Sequence, residues 1–204
     1  MLVTGIKSKP VYAPLRADTG GRYHLLLGLG QGGEPLLAIL DELRAARPQA
    51  LAQTRVLYTP GRDGPATPAA AFETAGAADS RFFDGSAALL ESFRGTLEQS
   101  LMGTRLYVAG PESFIGLTMK IALEFNLNED EIRAQECGTL ARRVRCIHCR
   151  ETTEEVRTNI VRCVGCGLSL LVRDHYSRRH AAYMGVMVDA EAPGELPPIQ
   201  EIFL

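Results

Sequence analysis

The sequence predicts an α/β protein: a parallel, doubly wound sheet over residues 22–140, followed by a small four-cysteine zinc-ribbon or rubredoxin-like domain over 141–190. Three observations carry that expectation. Short apolar runs alternate with amphipathic stretches at the spacing of βα units. A glycine-rich turn, Gly28-Leu29-Gly30-Gln31-Gly32-Gly33, joins the first run to the first helical stretch. Four of the five cysteines fall in two C-x-x-C pairs. Residues 1–21 read as an extended arm and 191–204 as a loose tail.

Ser8-Lys9-Pro10-Val11-Tyr12-Ala13-Pro14-Leu15 contains two prolines that limit any helix, so this arm is expected to lie extended on another surface. Tyr23–Gly28 is a continuous apolar run, as a buried parallel strand requires. Pro35–Ala46 places Leu36, Leu37, Ile39, Leu40 and Leu43 at helical spacing, with Pro35 in the first turn. Arg55–Tyr58 is a second strand, Gly61–Thr67 a loop, and Ala69–Ala77 a weak, alanine-rich helix. Arg81-Phe82-Phe83 reads as a third strand. Ser86–Leu101 then sets Leu89, Leu90, Phe93 and Leu97 on one helical face. Arg105–Ala109 is the fourth strand, and Pro111 opens a helix to about Phe125. Asn128-Glu129-Asp130-Glu131 is expected to cap a final short helix.

Cys146-Ile-His-Cys149 and Cys163-Val-Gly-Cys166 are separated by thirteen residues. Two thiolates at this spacing can chelate one ion from a single turn, and a second such turn completes a tetrahedral S₄ site. The intervening Arg150–Arg162 is rich in strand-compatible residues and is expected to run out and back as a hairpin. Two disulfides or four unrelated thiols are the alternatives, and they suit paired C-x-x-C spacing less well. Zinc is expected ahead of iron, because a long charged segment between the knuckles is more ribbon-like than rubredoxin-like. The ion would supply folding free energy that so small a core lacks. His148 is expected to be exposed or behind the ligands, and Cys137 to be a separate free thiol.

Composition sets outer limits. The chain has 204 residues, 46% of them hydrophobic, and no apolar run long enough to span a bilayer. The first twelve residues lack a signal-peptide core, so a reducing cytoplasm is expected. Residues 141–180 carry nine arginines against four acidic residues, while the segments on either side are net acidic. That footprint is small for nucleic acid, and arginine is the cation favoured in protein interfaces, so a protein partner fits better. His175, Tyr176 and His180 have no accompanying nucleophile and are read as surface or interface. Asp174 is expected to form ion pairs with Arg173, Arg178 and Arg179.

The glycine turn has two readings. Gly30, Gly32 and Gly33 could let backbone amides approach a phosphate at a helix N-terminus, or they could only permit close βα packing. Glu34 beside the turn would repel a phosphate. Gly30-Gln31-Gly32-Gly33-Glu34-Pro35 resembles the G-x-G-x-x-P turn of ferredoxin-reductase-type NAD(P)H modules. Leu57-Tyr58-Thr59-Pro60-Gly61-Arg62, Arg105 to Glu112, and Glu129-Asp130-Glu131-Ile132 are similar to the second strand and its arginine, the nicotinamide-bordering turn, and the last helix of the phthalate-dioxygenase-reductase branch. Ala109 stands where that branch has cysteine, and the twenty-one residues before Arg22 cannot form a flavin barrel. The resemblance therefore implies the fold, with weak or no nucleotide binding.

Taken together with the four-cysteine site and Leu171-Val172-Arg173-Asp174-His175-Tyr176-Ser177-Arg178-Arg179, the chain resembles the small-subunit family of bacterial dimethylamine monooxygenases. That resemblance implies a multi-subunit, NADPH-dependent oxygenase converting dimethylamine to methylamine and formaldehyde. Haem, flavin and a 2Fe–2S cluster would reside mainly on partner subunits, and this chain would be structural or would support electron transfer. A stand-alone NAD(P)H-binding redox protein and a zinc-ribbon adaptor are the other classes. Arg173, His175, Tyr176, Arg178 and Arg179, the arm from Lys9 to Tyr12, and the apolar terminus Ile202-Phe203-Leu204 are expected to meet partners.

Overall fold

The computed structural model describes residues 8–61, 67 and 69–204, in two compact units: residues 12–138, and residues 8–11 with 139–204. Arg62, the arginine matched to the reductase second strand, and most of the loop expected at 61–67 lie outside the described residues.

The larger unit is a five-stranded parallel sheet in the order β3-β2-β1-β4-β5. Its strands are β1 (Tyr23–Leu29), β2 (Thr54–Thr59), β3 (Asp79–Phe82), β4 (Thr104–Gly110) and β5 (Ile132–Glu136). The helices are α1 (Gly33–Ala46), α2 (Ala69–Thr74), α3 (Ser86–Glu98) and α4 (Glu112–Glu124). Leu25, Leu26 and Leu27 are all buried because β1 lies mid-sheet with both faces covered. Leu26 packs with Leu36, Ile39, Leu40, Leu43 and Phe72 on the α1 and α2 side. Leu25 and Leu27 pack with Leu89, Phe93, Leu97, Phe114 and Ile115 on the α3 and α4 side. Each such burial contributes about 1.5–3 kcal/mol before entropy is counted. Two apolar faces on one sheet are what make the sheet doubly wound.

Three helical expectations are revised. Asn128–Glu131 does not start a helix. It makes one 3₁₀ turn, Glu129–Glu131, closed by a capping box in which the Asn128 N–H donates to Glu131 Oε2 at 3.0 Å. The next residues form β5 instead, pairing in parallel with β4 from Leu106↔Ile132 to Gly110↔Glu136. An open strand edge offers backbone partners that an isolated helical turn cannot match. α2 stops at Thr74 and α3 at Glu98, so Leu101 and Met102 fall in an exposed turn rather than on a helix.

Residues 12–18 are tied to this unit by side chains that receive backbone donors. The Leu15 N–H donates to Gln135 Oε1, Ala17 N–H to Glu42 Oε2 and Asp18 N–H to the Tyr107 hydroxyl, each at 2.8 Å. Asp18 also accepts from Arg105 Nε at 2.8 Å, and that bond leads the effects that lower its pKa. Behind this latch lies His24, buried, with Nδ1 3.3 Å from the Tyr107 hydroxyl. Its Nε2 has no hydrogen-bond partner among the described residues.

In the smaller unit the strands are β6 (Arg142–Cys146), β7 (Thr152–Val156), β8 (Ile160–Arg162), β9 (Ser169–Ser177) and β10 (Ala182–Met187), ordered β7-β6-β10-β9-β8. β10 pairs in parallel with β6 and antiparallel with β9. The expected hairpin between the knuckles does not form. β7 pairs with β6 and β8 with β9, so the two segments lie at opposite edges. Each knuckle is instead the turn of its own hairpin, and the short connection between β7 and β8 gives its backbone to residues 200–203, with Arg157 accepting from Ile202 and Phe203 and Asn159 donating to Gln200.

The C-terminal residues are not a loose tail. Asn159 N–H donates to the Gln200 carbonyl, Ile202 and Phe203 N–H to that of Arg157, and Leu140 N–H to that of Leu204. Phe203 is buried, while Ile202 and Leu204 remain exposed. The Arg142 guanidinium lies between two rings, 3.8 Å from the Phe203 centroid and 4.0 Å from that of Tyr183. Arg142 Nη2 also donates to Asp174 Oδ1 at 2.8 Å. Asp174 thus pairs across the sheet with Arg142 rather than with Arg173, Arg178 or Arg179 as expected. Residues 8–11 join this unit through Ser8, whose hydroxyl accepts from the Tyr176 N–H at 2.9 Å.

Two outcomes follow from these contacts. Phe203→Ala removes one ring of the Arg142 sandwich and opens a void, so the smaller unit should lose about 2–4 kcal/mol. Denaturant titration followed by circular dichroism should show that loss with the larger unit's transition unchanged. The second outcome concerns pH. Burial, then the Arg47 charge, hold the His24 pKa below its ordinary value near 6.5, with Arg105 acting the same way and Asp18 opposing. The unfolded chain therefore takes up a proton first as pH falls, so stability is full above about pH 6.5 and declines below it. His24→Gln should flatten the decline between pH 6.5 and 5; an unchanged slope would show that another group causes it.

Candidate metal centre

The two hairpin turns are built alike. In the first, Cys146 N–H donates to the Glu151 carbonyl and Arg150 N–H returns to that of Cys146. In the second, Cys163 N–H donates to the Leu168 carbonyl and Gly167 N–H returns to that of Cys163. Both turns close through a left-handed residue in the same place, Arg150 with φ 69° and Gly167 with φ 72°. Only the second turn uses the residue suited to that conformation, so the first carries some backbone strain.

β10 brings the turns together. Ile147 N–H donates to the Gly185 carbonyl at 3.1 Å, and a Cβ on Gly185 would lie 2.8 Å from Val144 Cγ1 and 2.9 Å from Leu170 Cδ1. The hairpins can therefore close over this strand only while it lacks a side chain there. Gly165 fixes the second approach: a Cβ would meet Glu151 Cγ at 2.5 Å and Cys149 Sγ at 3.1 Å. Neither glycine was singled out from sequence, although the glycine inside Cys163-Val-Gly-Cys166 was a visible signal.

Cys146, Cys149, Cys163 and Cys166 place all four Sγ atoms within 4.8 Å of one another. Cys146 and Cys166 sulfurs are 3.8 Å apart, those of Cys149 and Cys163 3.4 Å. A metal with four sulfurs at about 2.3 Å has tetrahedral edges of about 3.8 Å, so the donor set suits such an ion. The contacts are thiol neighbours and not disulfides. His148 is exposed and stands outside the four-residue group, as does Cys137.

The thiols differ in how readily they ionise. Burial opposes ionisation of Cys163, but backbone N–H groups of Cys166 and Gly165 and neighbouring thiols bring it down to about 7. At Cys149 the Glu151 backbone N–H favours the thiolate, yet desolvation and the three neighbouring sulfurs outweigh it and push the thiol up to about 12. Four negative sulfurs this close repel one another, and a cation removes that penalty. Cys137, elsewhere in the fold, is pushed up to about 11, first by burial and then by the charges of Glu136 and Glu34. It has the character of an inert thiol.

The glycine turn faces inward. A Cβ on Gly32 would lie 2.0 Å from the Ala109 carbonyl oxygen, and one on Gly33 2.2 Å from Thr67 Oγ1. Gly30 has φ 56°, and its carbonyl accepts from the Tyr58 hydroxyl at 2.7 Å. The same hydroxyl accepts from the Thr67 N–H at 3.0 Å. The chain's own packing accounts for Gly32 and Gly33 without a ligand. Glu34 is exposed in the first turn of α1. Among the expected partner residues, His175, Arg178 and Arg179 are exposed, Arg173 is half-buried, and Tyr176 is buried edge-on against Tyr183 with centroids 5.1 Å apart. Tyr176 thus belongs to the unit's interior. Gly165→Val should part the knuckles and weaken zinc(II) or iron(II) binding at least tenfold in competition with a chromophoric chelator.

Against solved structures, the chain is similar to phthalate dioxygenase reductase, with 19% identity, a TM-score of 0.47, and 69% of this chain and 46% of that chain covered. It is also similar to a ferredoxin reductase of carbazole 1,9a-dioxygenase, with 18% identity, a TM-score of 0.44, and coverage of 59% and 34%. A delta subunit of heme-dependent oxidative N-demethylase from Ectopseudomonas mendocina (strain ymp) is 35% identical over 98 residues, which is 48% of this chain. The match spans about half of that relative, 56% of its length. Residues 4–132 match the N-terminal domain, and residues 143–186 the C-terminal domain, of one family. The chain belongs to the dimethylamine monooxygenase subunit DmmA-like family.

Proposed function

We propose that this chain is a non-catalytic subunit of an NADPH-dependent oxidative N-demethylase acting on dimethylamine, in which its four cysteines hold one metal ion as a structural staple. The observation that carries the reading is the match of both units to that single family. Haem, flavin, a 2Fe–2S cluster and the nicotinamide nucleotide are assigned to partner subunits. The inward use of Gly32 and Gly33 supports a scaffold role for the α/β unit, because those positions serve contacts to Ala109 and Thr67. Among the described residues no helix is long and apolar enough to cross a membrane.

Cys146, Cys149, Cys163 and Cys166 would hold the ion, zinc ahead of iron. The buried cluster at the sulfurs is Cys146, Cys163 and Leu170 with a few partly buried neighbours, while Val144, Val156, Ile160, Tyr183 and Phe203 are buried elsewhere in the unit. So small a cluster at the knuckles favours a metal whose binding energy serves folding there. Bound zinc supplies a fixed tetrahedral charge and no redox chemistry. The cysteine backbones orient the sulfurs, and the Gly165 N–H points at Cys163 Sγ at 3.4 Å.

The assembly is tested by tagging the chain in its native host. Haem- and flavin-bearing subunits should co-purify, and the complex should oxidise NADPH only when dimethylamine is supplied. A lone monomer, dispensable for that activity, contradicts the reading. The staple is tested by elemental analysis of protein purified without added metal. About one equivalent of zinc is expected; one equivalent of iron with a red colour would make the site redox-active, and less than half an equivalent of any transition metal would remove it. Calorimetric titration with NADPH should give no micromolar binding to the isolated chain.

A further inference from the structure

The apex of each knuckle presents an apolar side chain that its own unit leaves in solvent: Ile147 is 56% exposed and Val164 69%. They occupy equivalent positions, each directly after the first cysteine of its pair. A scattered exposed aliphatic residue is ordinary. These two flank one centre, because the four sulfurs beside them lie within 4.8 Å. The apex is also rigid, since Ile147 N–H is bonded to Gly185 and each turn is closed by two backbone bonds. Such a surface loses little conformational entropy on binding.

Arginines flank the two cysteine pairs in the chain. Arg145 precedes Cys146, Arg150 follows Cys149 and Arg162 precedes Cys163. None of the three has an ion pair among the described residues. Their charges must be weighed against Glu151 and against the two negative charges that four thiolates leave on a divalent ion. These terms cancel, so the apex as a whole carries no net charge. That argues against a polyanion such as nucleic acid, whose binding needs a net positive footprint. It also leaves Ile147 and Val164 exposed beside cysteine pairs whose neighbouring arginines have no ion pair among the described residues, and apolar groups with arginine are the composition of a protein interface.

We infer that the knuckle apex, centred on Ile147 and Val164, docks a protein subunit of the same oxygenase whose contact patch is apolar in the middle and carries carboxylates at its border. The inference rests on the subunit reading above and adds to it the surface used. The metal centre then has a second consequence, since it holds the two apolar groups in one fixed arrangement.

The test uses tagged full-length chain expressed with the other subunits in a host lacking its own copy. Two variants are compared with wild type: Ile147→Asp with Val164→Asp, and Arg150→Glu with Arg162→Glu. Haem and flavin absorbance recovered per tag reports docking, elemental analysis reports the metal, and light scattering reports self-association. The Asp variant should keep one metal equivalent and recover at least tenfold less haem and flavin. The Glu variant should also keep its metal, and recover less at low salt. Full recovery in either metal-loaded variant overturns the docking surface while leaving the subunit reading intact. If the Asp variant loses its metal, the Glu variant alone decides. Wild type recovered without haem or flavin overturns both the surface and the subunit reading. Wild-type self-association that the variants abolish overturns the assignment to a different subunit.

Discussion

Four sulfur atoms within 4.8 Å of one another are the constraint on which the smaller unit depends. Left as thiols they contribute little packing, and as thiolates they repel. Only a shared cation makes the arrangement favourable, and the surrounding structure presents the sulfurs to one. β6 with β7 and β8 with β9 each end in a knuckle, and β10 lies between them as the strand both hairpins close over. Gly185 and Gly165 leave room for that closure at two places where any Cβ would collide. Far from the sulfurs, the C-terminal residues hold the β7–β8 connection and set Phe203 against Arg142. Metal at one end and a ring-stacked guanidinium at the other stand in for a large apolar core.

The larger unit obeys a different economy. It buries both faces of a parallel sheet, so its stability comes from Leu, Ile and Phe contacts on each side. In open α/β sheets ligands usually lie outside the carboxyl ends of the strands, where a glycine turn meets a helix. In this chain that turn is pressed against the end of β4, and Tyr58 bridges Gly30 and Thr67 from within. Residues 12–18 are latched along this unit from Gln135, level with Ala109, to Glu42, Tyr107 and Arg105. Buried His24 sits behind that latch, where a proton is unwelcome.

Much of this was legible in the sequence because its signals are local. The β1 run, the α1 periodicity and the cysteine spacing each depend on neighbours a few residues away. The errors arose where distant segments compete. Residues 132–136 became a strand because β4 offered an unpaired edge, which no local pattern in Asn128–Glu131 reveals. Arg150–Arg162 failed to form its own hairpin because each knuckle turn ties its flanking strands together and the backbone of Arg157 and Asn159 is taken by residues 200–203. Phe203 looked like an exposed apolar end, and its burial depends on Arg142, sixty-one residues earlier. Gly165 and Gly185 carry no chemistry of their own, so their part in the sulfur cluster appears only once neighbouring atoms are placed.

The central claim is that metal bound by the four cysteines holds residues 139–204 folded, while residues 12–138 fold without it. Hydrogen exchange on the full-length chain, before and after complete metal removal by a chelator under reducing conditions, tests this most directly. Protection should collapse across β6 to β10 and the 199–204 segment, and persist in β1, β2 and β4. Unchanged protection of β6 to β10 in the metal-free protein would contradict the account.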